Sequence, residues 1–187
     1  KYDASSGTAP TVVAKGRGAI ADKILELARA NNVAVREDPA LVTVLMVHRN
    51  RSKEAAQKLM GKDFAGIAIT DRYSAYLWVD PERRQLCWSH LDRDFQAMVD
   101  RGGRSRKVGL ALQRESARMF KWRAWVQEGR RDRAWLVRKL PELQRAVRAA
   151  LEAGVKCGHE ATAGTCGDLL ELFVALWTFA TVEGVEP

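Results

Sequence analysis

Between Arg104 and Ala153 apolar residues recur every three or four positions in two successive runs, a pattern that constrains this stretch to paired helices. Val108, Leu112, Met119, Trp122 and Val126 mark one face of the first helix. The second starts near Asp132 and spaces Leu136, Leu140, Leu143, Val147 and Leu151 for burial. Pro141 lies inside that run, and its missing N–H predicts a kink or a split. The same stretch is strongly basic. Residues 101–148 hold fifteen Lys/Arg against four Asp/Glu, whereas residues 1–40 hold six against five. A block of this charge implies a polyanionic partner, with a solvated helical face as the alternative. Arg104, Arg106, Lys107, Arg114, Arg118, Arg123, Arg130 and Arg131 are the candidate phosphate contacts. Trp122, Trp125 and Trp135 are interleaved with these arginines and could stack on bases. The simpler reading places them in the seam between the two helices.

The whole-chain numbers exclude more than they select. The 187 residues carry 47% hydrophobic and 29% charged side chains, ordinary for a globular protein with one real core. No run approaches the ~20 apolar residues that span a bilayer, and Leu169–Val182, interrupted by Glu171, reads as a buried helix. No signal-peptide pattern is present, and three cysteines (Cys87, Cys157, Cys166) do not make an even secreted framework. A reducing cytoplasm is the expected compartment. The first residue is Lys1 rather than Met, which suggests a fragment or a truncated reading frame.

Ahead of the basic helices the chain alternates strands and helices, which predicts an α/β fold. Thr11–Ala14 and Val33–Val35 are short strand candidates around a helix that carries Ile20, Ile24, Leu25, Leu27 and Ala28 and stops at Asn31-Asn32. Gly16-x-Gly18 lacks the third glycine of a nucleotide loop and reads as the start of that helix. Leu41–His48 is apolar on both faces, as a central strand would be. Ser52 can cap a helix running to Met60 before Gly61. Gly66–Thr70 and Gln85–Trp88 are further strands, expected in one sheet with Leu41–His48, and Ser89 then caps a helix through Phe95, Met98 and Val99. Residues 154–164 read as a Gly/Ala-rich loop, and the final helix runs through Leu169, Leu172, Phe173, Leu176, Trp177 and Ala180.

Asp71 is the sharpest candidate for chemistry. It sits at the carboxyl end of a buried strand, where open α/β sheets place their sites, although a turn-forming or helix-capping Asp explains it more economically. One carboxylate does not make a two-metal site, which needs several oxygen ligands around ions roughly 4 Å apart. Cys87 and His90 are spaced C-x-x-H, with Cys157, His159 and Cys166 downstream, so four of them could hold zinc. Buried cysteines beside a hydrogen-bonding histidine are the plainer reading.

Several phrases resemble the insertion-sequence 66 transposases in wording, order and spacing. They are Asp71-Arg-Tyr73-Ser-Ala-Tyr76, then Arg84-Gln-Leu-Cys87-Trp88-Ser-His90-Leu-Asp-Arg93-Asp-Phe95, Arg101–Ser105, Gly164–Cys166, and Ala175–Phe179 with Val182–Pro187. The resemblance runs from about Leu41 to Pro187. It implies an RNase H-like core, here partial and built on a mixed sheet, interrupted by a large helical insertion. It further implies an Asp-Asp-Glu triad that uses Mg²⁺ or Mn²⁺ to cut and join DNA. Asp71 matches the second acid and would be the metal ligand. The first acid belongs to a strand upstream of the one resembling Leu41–His48, and the third to a phrase following the one that ends at Pro187. With one acid of three, the expected state of this chain is catalytically inactive. DNA is the implied partner, self-association is open, and no small-molecule substrate is expected.

The first forty residues resemble something else. Lys1-Tyr-Asp, Ala9–Gly16, Ile24–Asn32 and Val35–Leu41 are similar to the cytoplasmic carboxyl-terminal domain of the FlhB family, the export switch of flagellar and other type III secretion systems. The self-cleaving loop of that family would precede Lys1, so autoproteolysis carries over to no residue here. The combined reading is a chimera: an export-switch remnant over 1–40, a partial transposase core over 41–100, and a basic helical insertion with a core helix over 101–187.

Overall fold

The structure is a computed structural model; it describes Glu26, Ala30, the backbone of residues 35–38 and 41–44, and residues 50–187. The expected strand Thr11–Ala14, most of the helix after it, and the 45–48 end of the expected strand Leu41–His48 lie outside the described residues. Glu26 and Ala30 have helical backbone, in keeping with the spacing read there. The chain divides into two compact units, Lys1–Gly66 with Ser74–Trp78, and Ile67–Tyr73 with Val79–Pro187.

In the first unit, β1 (Val35–Asp38) pairs antiparallel with β2 (Leu41–Val44), from Val35 opposite Val44 to Asp38 opposite Leu41. Helix α1 (Lys53–Met60) follows, and its limits are the ones its sequence predicts. The Ser52 hydroxyl accepts from the Ala55 N–H at 3.3 Å, and Gly61 ends the helix at φ 86°, a conformation that favours glycine.

In the second unit, β3 (Ala68–Thr70) pairs parallel with β4 (Arg84–Leu86). The expected three-stranded sheet is not seen among the described residues: β1–β2 and β3–β4 are separate ladders. Helix α2 (Trp88–Asp100) begins one residue before the expected cap, so Trp88 is helical and does not end a strand. The reason lies at Cys87. Its N–H donates to the Thr70 carbonyl at 2.8 Å, extending the ladder, while its carbonyl accepts from the His90 and Leu91 N–H groups and opens the helix.

The two basic helices form as their spacing predicts: α3 (Gly103–Gln127) and α4 (Arg133–Val155). Asp132 caps α4 by accepting from the Trp135 N–H at 2.6 Å. Pro141 neither splits α4 nor ends it. The carbonyl it leaves without a helical donor belongs to Val137, an exposed residue. Leu136, Leu140, Leu143 and Val147 are buried on both sides of Pro141 in the chain. The expected loop 154–164 is shorter than read, because α4 runs to Val155 and α5 (Glu160–Glu171) starts soon after. Small residues mislead here: Gly154 is buried at a helix contact, where an added Cβ would collide with the Cys166 sulfur.

The final helix is broken into α5, a 3-10 turn Phe173–Leu176 and one helical turn Thr178–Thr181. Core side chains take the backbone groups that a continuous helix would use. The Trp88 indole N–H and the Gln85 amide both donate to the Leu176 carbonyl, at 2.9 and 3.3 Å. The Gln85 side-chain oxygen accepts from the Phe179 N–H at 2.8 Å, and the Thr178 hydroxyl donates to the Arg84 carbonyl at 2.7 Å. Around this polar lock one continuous core joins Trp88, Leu91, Phe95 and Met98 of α2 to the apolar faces of α3, α4 and α5.

Candidate functional site

Asp71 leaves the end of β3 half-buried, and its position is set by its neighbours. Its carboxylate accepts from the Tyr73 N–H at 3.1 Å, a local turn that short acidic side chains favour. Its carbonyl accepts from the Thr70 hydroxyl at 2.8 Å and from Arg84 Nη2 at 2.9 Å. Arg84 is fully buried on β4, and its Nε also donates to the Thr70 hydroxyl at 2.8 Å. Next along the chain, Arg72 reaches two helices at once, pairing with Asp94 of α2 at 3.2 Å and Asp168 of α5 at 2.6 Å. Strand pairing, a buried guanidinium and an ion-pair bridge thus fix the backbone on both sides of Asp71. Arg72 and Arg84 are residues that sequence reasoning missed. Their signal was a cation next to the candidate acid and another at the start of the neighbouring strand.

No group of three or more His, Cys, Asp or Glu side chains that could hold a metal occurs among the described residues. The donors on hand beside Asp71 therefore do not by themselves fit a divalent ion. Cys87, His90, Cys157, His159 and Cys166 likewise form no such group among the described residues. Cys157 and Cys166 are buried and His90 is exposed; all three cysteines are free thiols. Burial first, then the neighbouring Cys157, pushes the Cys166 thiol up to about 11, which keeps it neutral and unreactive.

The remaining motif residues separate into packing and surface. Trp88 and Phe95 are core, Cys87 joins the β3 ladder, and Arg93 is exposed. Tyr73 is 40% exposed. Tyr76, in the first unit, lies under the Arg51 guanidinium at 6.0 Å.

The basic hairpin sorts its cations unequally. Trp122, Trp125 and Trp135 do form the seam between α3 and α4, with ring centroids 5.6 and 5.9 Å apart. Arg118 pairs with buried Glu115 at 2.6 Å and Glu142 at 3.0 Å and stacks over Trp122. Arg123 pairs with Glu186, Arg130 with Glu128 at 2.9 Å, and Arg131 lies over Trp135. Arg118, Arg123 and Arg130, three of the candidate phosphate contacts, thus each have an acidic partner, and the Arg130–Glu128 pair is exposed on both sides. Arg104, Arg106 and Lys107 are exposed and make no ion pair among the described residues.

These features define a helical α/β chain with an acid at a strand end and a basic helical hairpin. Residues 8–180 match the family model described as Transposase IS66 family, and the chain belongs to that family. Among curated proteins it is also similar to the flagellar biosynthetic protein FlhB of Escherichia coli (strain K12), with 36% identity over 78 residues, or 42% of this chain and 19% of that protein. The chain thus spans about a fifth of the length of that relative. The family match leaves only the two ends uncovered, so the two matches overlap along the chain. No solved structure matches. Among the described residues no helix is long and apolar enough to cross a membrane.

Proposed function

We propose that this chain is the DNA-engaging part of a DDE-type transposase core, with Asp71 as one of the carboxylates that hold Mg²⁺ or Mn²⁺ during strand cleavage and transfer. The observation that carries the reading is the match to the transposase family over residues 8–180 combined with the fixed placement of Asp71 at the end of β3. In this proposal β3, β4 and α2 belong to an RNase H-like core, and α3 and α4 are its basic insertion, working on DNA in the cytoplasm. Asp71 would supply one oxygen ligand to such an ion, which needs further carboxylates beyond those gathered beside it. Arg84, Thr70 and Arg72 keep the backbone that presents it in place.

The 187 residues alone supply one acid of the triad, so the isolated chain is expected to bind DNA without cutting it. Incubating the purified chain with Mg²⁺ or Mn²⁺ and supercoiled plasmid tests this. Metal-dependent nicking that Asp71→Ala abolishes would overturn the inactive state and leave the assignment of Asp71 standing. A second reading has its own support in the similarity to FlhB: residues 1–40 as an export-switch remnant on a non-enzymatic chain. Pull-down of a type III export component by the intact chain, lost when residues 1–40 are deleted, would favour it.

A further inference from the structure

We propose that the solvent face of α3 bearing Lys107, Arg114 and Lys121 is the DNA-holding surface, and that it grips duplex phosphates rather than single-stranded bases. The inference rests on the DNA-binding reading above and narrows it to one face and one form of ligand. Seven residues are close to two helical turns, so the three cations stand nearly in line. At 1.5 Å per residue that line runs about 21 Å, long enough to lie along several phosphates of a duplex carrying one charge per ~1.7 Å.

All three side chains are exposed, and Arg106, Leu110 and Ala117 on the same face are exposed as well. Among the described residues Lys107 and Lys121 make no ion pair, and Arg114 pairs only with Glu115, the one acid of α3 and a buried one. Arg114 touches Glu115 through Nε alone, and its side chain is 76% exposed, which leaves the outer guanidinium nitrogens facing water. Lys107 has no ion pair among the described residues, and the Lys121 ammonium rests over the Trp125 ring at 5.2 Å. The hairpin tip is a poorer candidate. Its arginines are paired or stacked, and its tryptophan rings pack on one another, leaving no open platform for bases.

The test is fluorescence anisotropy of a labelled duplex and of labelled oligo-dT, titrated with the full chain from about 50 to 200 mM salt. At about 0.9 per phosphate, the triple variant Lys107→Gln/Arg114→Gln/Lys121→Gln should lower the steepness of log K against log salt by about 2.7. Its thermal melt should stay close to wild type, since Glu115 keeps Arg118 as a partner and Lys121 contributes one exposed cation–π contact. An unchanged slope in the folded variant, with wild type still binding duplex, overturns this inference and leaves the DNA reading intact. Tighter binding to oligo-dT with quenched tryptophan fluorescence also overturns it. Wild type that ignores both DNAs overturns the DNA reading itself.

Discussion

The buried guanidinium of Arg84 on β4 donates to the backbone carbonyl of Asp71, 2.9 Å away, just past the end of the neighbouring strand. A charge with no exposure inside a protein is retained only when its donors are matched, and here a hydroxyl and a carbonyl at the candidate site receive them. The candidate acid is thus held by its neighbour strand as well as by its own turn.

Arg84→Met should therefore destabilise the second unit although it makes the strand more apolar. The Thr70 hydroxyl and the Asp71 carbonyl each lose the Arg84 donor and keep their bond to each other, and a hydrogen bond from a charged group is worth about 1.5–3 kcal/mol. Urea denaturation followed by tryptophan fluorescence should show a lower midpoint. A midpoint equal to or above wild type would mean that these bonds are not what holds the strand end.

Gly109 and Gly164 are both helical glycines, and alanine should act on them with opposite sign. A Cβ on Gly109 would sit 2.6 Å from the Phe95 carbonyl oxygen and 2.8 Å from Val99, where α3 crosses α2. Gly109→Ala should cost about 1–3 kcal/mol as overpacking, despite the better helix propensity of alanine. Gly164 is exposed in α5 with nothing within 4 Å of an added Cβ, so Gly164→Ala should stabilise by about 0.5–1 kcal/mol. Thermal melts of the two single variants check the pair, and shifts in the same direction would refute the crossing geometry.

Cys166 makes a pH prediction whose sign follows from linkage. Its thiol is raised from 9.0 to about 11 in the folded protein, so the unfolded chain gives up that proton first as pH rises. The stability tied to the neutral thiol is complete below pH 9 and is lost between about 9 and 11. Cys166→Ala should lose less stability than wild type across that window, while starting lower because the side chain is fully buried. At neutral pH a thiol reagent should label half-buried Cys87 before Cys166. Equal alkaline slopes in the two proteins would count against the burial of this thiol.

By itself the sequence determined what depends on local pattern. The periodicities of Val108–Val126 and Leu136–Leu151 fixed α3 and α4, Ser52 and Asp132 capped their helices, and the three tryptophans fell in the predicted seam. Phrases around Asp71 and Trp88 marked the family, because short motifs survive as text. Only the tertiary structure decided which cations are free. Whether Arg123 meets Glu186, or Arg118 meets Glu142, depends on contacts far apart in the chain, to which periodicity is blind. The break of the last helix had the same origin, in the grip of Gln85 and Trp88 on the Leu176 carbonyl. Helical period is a property of neighbours three and four apart; charge pairing and buried hydrogen bonds are properties of neighbours brought together by the fold.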